Sequence, residues 1–146
     1  MSSSARTGTD DVAQSTSRGR VLLMERDPLV VAHCRAVFDR LRLELREAQD
    51  ASQARQCLMD ESFDVVMADE FAWGTIGIEM LTDALDRQPY ARRILVSSRM
   101  DASTLDRALR VAKVDGLLRK PLSDRDLEDI LRLLFAGALF DRKRGS

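Results

Sequence analysis

Asp69, Ser97 and Lys120 each close a short apolar run. Phe63-Asp64-Val65-Val66-Met67-Ala68 leads into Asp69, Arg93-Ile94-Leu95-Val96 into Ser97-Ser98, and Gly116-Leu117-Leu118-Arg119 into Lys120-Pro121. A fourth run, Val21-Leu22-Leu23-Met24, opens into Glu25-Arg26-Asp27-Pro28. An apolar run followed by a carboxylate reads as a buried parallel strand that delivers an acid to the carboxyl edge of a sheet, where open α/β folds place their chemistry. Singly, Asp69 has the plain reading of a helix-cap or turn carboxylate, and Lys120 that of a solvated turn lysine. Together, an acid cluster, an aspartate, a hydroxyl and a lysine make one charged pocket, provided that the four runs are strands ending at one edge.

The rest of the chain supplies the elements for that arrangement. Short β-type runs alternate with helical periodicity, five of each, which predicts a doubly wound five-stranded parallel sheet. A first helix opens at Asp27-Pro28, a carboxylate N-cap with proline at the first helical position, and carries Val30, Val31, Cys34, Val37, Phe38 and Leu41 inward. The second strand alternates Leu43 and Leu45 with Glu44 and Arg46, which suits an edge. Asp50 caps a second helix bearing Ala54, Cys57 and Leu58. Glu70 to Ile76 reads as irregular, and Gly77 introduces a third helix with Ile78, Leu81 and Leu85 inward, halted near Pro89. A fourth helix spans Asp101 to Lys113 on Leu105, Ala108, Leu109 and Val111. A fifth begins near Ser123, with Asp126 as capping partner, and its Phe135, Leu139 and Phe140 exceed what one sheet-facing stripe needs. Those residues read either as an end folded against the domain or as a contact surface.

At 146 residues the chain is read as one domain, with residues 1–19 as a disordered Ser/Thr/Gly/Asp-rich tail, 20–140 folded, and 141–146 a basic tail. A net charge of -1, from 24 acids against 23 bases, provides no global field to draw the protein onto nucleic acid or anionic lipid, so neither partner is expected. No stretch approaches the ~18 apolar residues of a membrane span, and a cytoplasmic location is expected. Cys34 and Cys57 fall inside helical apolar patterns and read as buried thiols rather than a disulfide. His33, the single histidine, reads as a surface residue of the first helix.

The four strand ends, taken in order, resemble the receiver domain of two-component response regulators over Arg20 to about Leu134. The resemblance implies a flavodoxin-like (βα)5 fold and a regulatory module, not an enzyme, in a phosphorelay. It casts Asp69 as the phosphoacceptor, attacking a phosphohistidine on a histidine kinase or phosphotransfer protein with the help of magnesium. Ser97 would bond the phosphoryl group, Lys120 would pair with it, and the peptide bond before Pro121 would often be cis. Phe71 would offer its backbone carbonyl to the metal, beside Glu25 and Asp69. No output domain follows within this sequence, so a stand-alone receiver is expected, with a homodimer sought on the fourth-helix to fifth-helix face around Arg107, Arg110, Arg119 and Asp126.

The pattern departs from relatives at three places. Receivers usually end the first strand in two adjacent acids; here Glu25 stands first and Arg26 second. Glu25, Asp69, Arg26 and Lys120 sum to zero, against a formal charge of about -2 that would recruit a hard dication. At an effective dielectric near 20, a cation about 4 Å from Asp69 is worth about 4 kcal/mol before desolvation, so Arg26 is expected to pair with Asp69 in place of the ion, leaving magnesium weak. The other course is for Arg26 to face solvent while Asp27 turns inward. Leu117 occupies the position of the usual aromatic switch, and Trp73 stands where relatives favour proline, as a packed ring or a partner anchor. A phosphorylation-independent pseudo-receiver is thus the alternative. Two other classes fit less well: nucleotide binding lacks a glycine after the first strand, and an aspartate-based phosphatase would put its nucleophile where Glu25 stands.

Overall fold

The computed structural model describes residues 18–70 and 76–145, with side chains as far as residue 136. The apolar runs form strands β1 Gly19–Met24, β2 Leu43–Ala48, β3 Val65–Asp69, β4 Arg92–Ser97 and β5 Gly116–Arg119. Between and after them lie helices α1 Pro28–Arg40, α2 Ala51–Asp60, α3 Ile76–Arg87, α4 Ala102–Arg110 and α5 Asp124–Gly145. All strand pairs are parallel, in the order β2-β1-β3-β4-β5, so the weakly apolar β2 is an edge, as its alternation predicts.

Successive strand residues point to opposite faces, and each face is covered by helices. Val21, Leu23, Val65, Met67, Ile94 and Val96 pack on α1 and α5 through Cys34, Val37, Phe38, Leu127 and Leu131. Leu22, Met24, Val66, Ala68 and Leu95 pack on α2, α3 and α4 through Ala54, Leu58, Ile78, Leu81 and Ala108. Each large side chain buried this way contributes about 1.5–3 kcal/mol, more than a surface ion pair, so these two layers hold the strand ends in place.

Helix starts follow the capping residues. Asp27 Oδ1 accepts from Leu29 N at 2.9 Å, Asp50 Oδ1 from Gln53 N at 2.8 Å, and Asp101 Oδ1 from Thr104 N at 2.8 Å. Ser123 Oγ accepts from Asp126 N at 3.0 Å, so Asp126 serves the cap through its backbone. Several boundaries differ from the sequence reading. α4 stops at Arg110, the chain turns through Lys113 at φ 49°, and Leu109 and Val111 face solvent rather than the core. β1 takes in Gly19, and α5 runs on to Gly145 through the basic stretch expected as a tail; no proline interrupts it and basic residues suit a helix C-terminus. Phe135 is buried against the domain, whereas the side chains of Leu139 and Phe140 and residues 1–17 lie outside the described residues.

Cys34 and Cys57 are free and buried. At the amino end of β4, Arg93 is buried and spends its guanidinium on carbonyls: NH1 to Ala91 O at 2.6 Å, Nε to Ala112 O at 3.0 Å and NH2 to Lys113 O at 2.9 Å. Among the described residues, no helix is long and apolar enough to cross a membrane.

Candidate functional site

The chain leaves β1 toward β2 on one side and returns to β3 on the other, so the topological switch point lies between β1 and β3. Met24 pairs with Ala68 there, which sets the next residues, Glu25 and Asp69, side by side beyond the sheet edge. Lys120 arrives from the far edge strand; its backbone N–H donates to Ser97 O at 3.0 Å, and the Lys120-Pro121 peptide is cis. Its long side chain reaches back to put Nζ 2.9 Å from Asp69 Oδ1 and 3.1 Å from Glu25 Oε1. Asp69 and Glu25 are both buried.

Two buried carboxylates facing one ammonium leave a net negative charge out of bulk water. Burial, and secondarily the charge of Asp69, raise the pKa of Glu25 against the backbone hydrogen bond from Asp27 N and the pull of Lys120. For Lys120 burial works against the charged form, yet the hydrogen bonds and charges of Asp69 and Glu25 outweigh it and the pKa rises. Glu25 Oε1, although 3.1 Å from the ammonium, lies out of line for a hydrogen bond and is a buried acceptor left unsatisfied. That acceptor and Asp69 suit a hard cation that keeps most of its water, and the chemistry such an ion supplies is charge neutralisation.

Gly77 matters for the position of Asp69. A Cβ there would come within 2.2 Å of Asp69 O, so the start of α3 rests directly on the backbone that carries Asp69.

Residues 21–132 match the family model for the response regulator receiver domain. The chain belongs to that family. Solved structures agree: the signal receiver domain of an HD domain-containing protein from Pseudomonas fluorescens Pf-5 matches at 25% identity and TM-score 0.79, over 88% of this chain and 95% of that one. A CheY-like response regulator receiver domain protein from Methanospirillum hungatei JF-1 matches at 20% identity and TM-score 0.77, over 84% and 97%. A pilus assembly-related protein from Burkholderia pseudomallei K96243 matches at 27% identity and TM-score 0.69, over 80% and 89%. A search of curated protein sequences finds no match.

In this receiver the expected site residues are only partly assembled. Glu25, Asp69 and Lys120 meet, on the face that α1 and α5 cover. Ser97 follows Val96, which pairs with Asp69, so strand alternation turns Ser97 to the opposite face. There its hydroxyl donates to Glu70 Oε2 and lies 2.8 Å from Arg99 O, while it accepts from Arg99 N at 2.9 Å. Glu70, which reads in the sequence as the start of an irregular stretch, extends the sheet by donating its N–H to Val96 O at 3.0 Å and is buried. Continuing the two-residue alternation of Val66 and Ala68 by one step would have placed it on that inner face.

Arg26 is exposed and lines a cavity of about 350 Å³ with Glu25, Arg35, Glu47 and Gln49. Asp27 does not turn inward to supply a second acid; it is exposed and committed to the α1 cap. Leu117 pairs with Leu95 and packs half-buried on the α2, α3 and α4 layer. Phe71 and Trp73 lie outside the described residues. His33 is less free than a surface residue, with Nε2 2.9 Å from Asp124 Oδ1 across the α1 and α5 contact.

Proposed function

We propose that this receiver accepts a phosphoryl group on Asp69 from a histidine kinase or phosphotransfer protein. The observation that carries the reading is the Lys120 ammonium, 2.9 Å from Asp69 Oδ1 in a buried pocket. A carboxylate oxygen of Asp69 would attack the phosphorus of a phosphohistidine, the P–N bond would break as the P–O bond forms, and the leaving imidazole would keep the N–P electron pair. Lys120, already held at the acceptor, would pair with the phosphoryl oxygens as charge develops on them. Glu25 orients that lysine and, with Asp69 and the backbone carbonyl of Phe71, would hold magnesium. Arg26, in place of a second acid, lowers the negative charge that attracts the ion and, turned toward Asp69, would be its partial substitute. Weak magnesium dependence is the expected result.

A second reading, a receiver that signals by binding alone, is favoured by one observation: no group of three metal-ligating side chains assembles among the described residues. In either version the exposed Leu109 and Val111 with Arg107, Arg110 and Arg119 offer a homodimer face.

Intact-mass spectrometry after incubation with acetyl phosphate and magnesium decides between the two. A phosphoryl adduct that is absent in Asp69→Ala supports the acceptor reading. No adduct on the native sequence, with one regained in Arg26→Asp, would establish the binding-only form.

A further inference from the structure

Glu70 takes no part in the transfer chemistry, yet it is as deeply buried as Asp69 beside it. Its two carboxylate oxygens are divided between two elements: Oε2 receives the Ser97 hydroxyl at the end of β4, and Oε1 receives Thr104 Oγ1 at 3.2 Å in the first turn of α4. Burying a carboxylate is costly unless its charge is answered, and among the described residues the answer comes from these two hydroxyls rather than from a cation. Such an arrangement is not what packing alone would select at a strand end flanked by Ala68 and Leu95.

We propose that Glu70 is a resting-state latch on Ser97. The inference rests on Asp69 being the acceptor: Glu70 is then a positioning residue that holds the hydroxyl on the inner face and must release it before Ser97 can donate to a phosphoryl oxygen on Asp69. The competition is for one proton, since a serine hydroxyl has one to give, and at rest Glu70 Oε2 shares its neighbourhood with Arg99 O, 2.8 Å from Ser97 Oγ. The loop after β4 is gathered around the same oxygen, since Arg99 N donates to Ser97 Oγ at 2.9 Å. Release therefore alters the hydrogen bonding of Arg99 as well. Thr104 extends the link to α4, so departure of Ser97 leaves Glu70 attached to that helix alone. This supplies a route from the acceptor edge to the exposed α4 surface that needs no aromatic ring, in a receiver whose usual ring position is held by Leu117.

Two measurements test the latch on Glu70→Ala, Glu70→Gln, Ser97→Ala and the Glu70→Ala/Ser97→Ala double variant. With acetyl phosphate and magnesium, the adduct fraction at a fixed early time is expected to rise about fivefold in Glu70→Ala, the size of one freed hydrogen bond, and to rise less in Glu70→Gln, which keeps an acceptor oxygen. The gain must vanish in the Ser97→Ala background. Without any phosphodonor, hydrogen exchange at the Arg99 amide is expected to quicken several-fold in Glu70→Ala. Unchanged Arg99 exchange in both Glu70 variants overturns the latch, as does an adduct gain that survives the loss of Ser97 or no gain where the native protein is phosphorylated. If Glu70→Ala does not fold, the same-sized Glu70→Gln supplies both readouts. An adduct on none of the proteins would instead remove Asp69 as acceptor, and the Arg99 amide alone would then decide whether Glu70 holds Ser97.

Discussion

Asp69 and Glu70 are consecutive, carry the same charge, and are 7% and 6% exposed, but the sheet sends them to opposite faces and the protein treats them differently. Asp69 meets an ammonium that it shares with Glu25; Glu70 meets two hydroxyls. A mobile cation on a long stem can follow a changing charge, so the Asp69 side suits the arriving and leaving group proposed for it. Hydroxyls on two backbone elements fix geometry instead, so the Glu70 side is built to hold those elements together. One strand end thereby separates the charge chemistry from the positional response to it.

The sharpest way to break this contrast is Lys120→Met, which strands two buried carboxylates. It is expected to cost about 2–3 kcal/mol of stability in denaturant unfolding, below the full value for a buried pair because the lysine is partly exposed. Adding Glu25→Gln should recover most of that loss; no recovery would mean that Lys120 acts through packing. Gly77→Ala touches the backbone that both carboxylates share and is expected to cost about 2 kcal/mol, since α3 must shift to relieve the clash with Asp69 O. Glu70→Gln keeps volume and one acceptor, and an effect of about 1 kcal/mol is expected. A loss as large as that of Lys120→Met would show that an unseen cation answers Glu70.

The smallest effect concerns Cys34 beneath the charged pocket. Burial, reinforced by the charge of Glu25, pushes its thiol up to about 12. The thiol stays protonated at pH 8, so alkylation there should proceed only as fast as the protein unfolds. The folded state keeps a proton that the unfolded chain loses above its ordinary value of 9, so this residue makes stability fall as pH rises from 9 toward 12. Cys34→Ala should flatten that decline.

Much of this was legible in the residues. Each strand is an apolar run of ordinary length, and Asp27, Asp50, Asp101 and Ser123 announce the helices that they cap. Once the strands were assigned, the meeting of Glu25, Asp69 and Lys120 followed from their shared place at strand ends. Ser97 was harder, because being at the right edge does not settle which face a side chain takes, and that depends on its phase relative to Asp69. Glu70 was hidden by its type: a glutamate after a strand suggests a solvated loop, and its burial depends on hydroxyls 27 and 34 residues away. His33 was obscured in the same way, since only the approach of α5 to α1 gives it Asp124. Leu109 and Val111 are apolar but only two residues apart, and α4 ends at Arg110 with Thr104 and Ala108 on its buried face, so neither reaches the core.

Arg93 has a consequence at the other end of the molecule. A four-residue edge strand has few ladder bonds with which to choose its own position, and β5 is such a strand. By gripping the carbonyls of Ala112 and Lys113, Arg93 anchors the turn that feeds β5 into the sheet. The reach of Lys120 to Asp69 is thus calibrated from the opposite rim, one strand-length away: shortening Arg93 would let β5 drift in its docking and detune the ammonium without altering any residue that touches it.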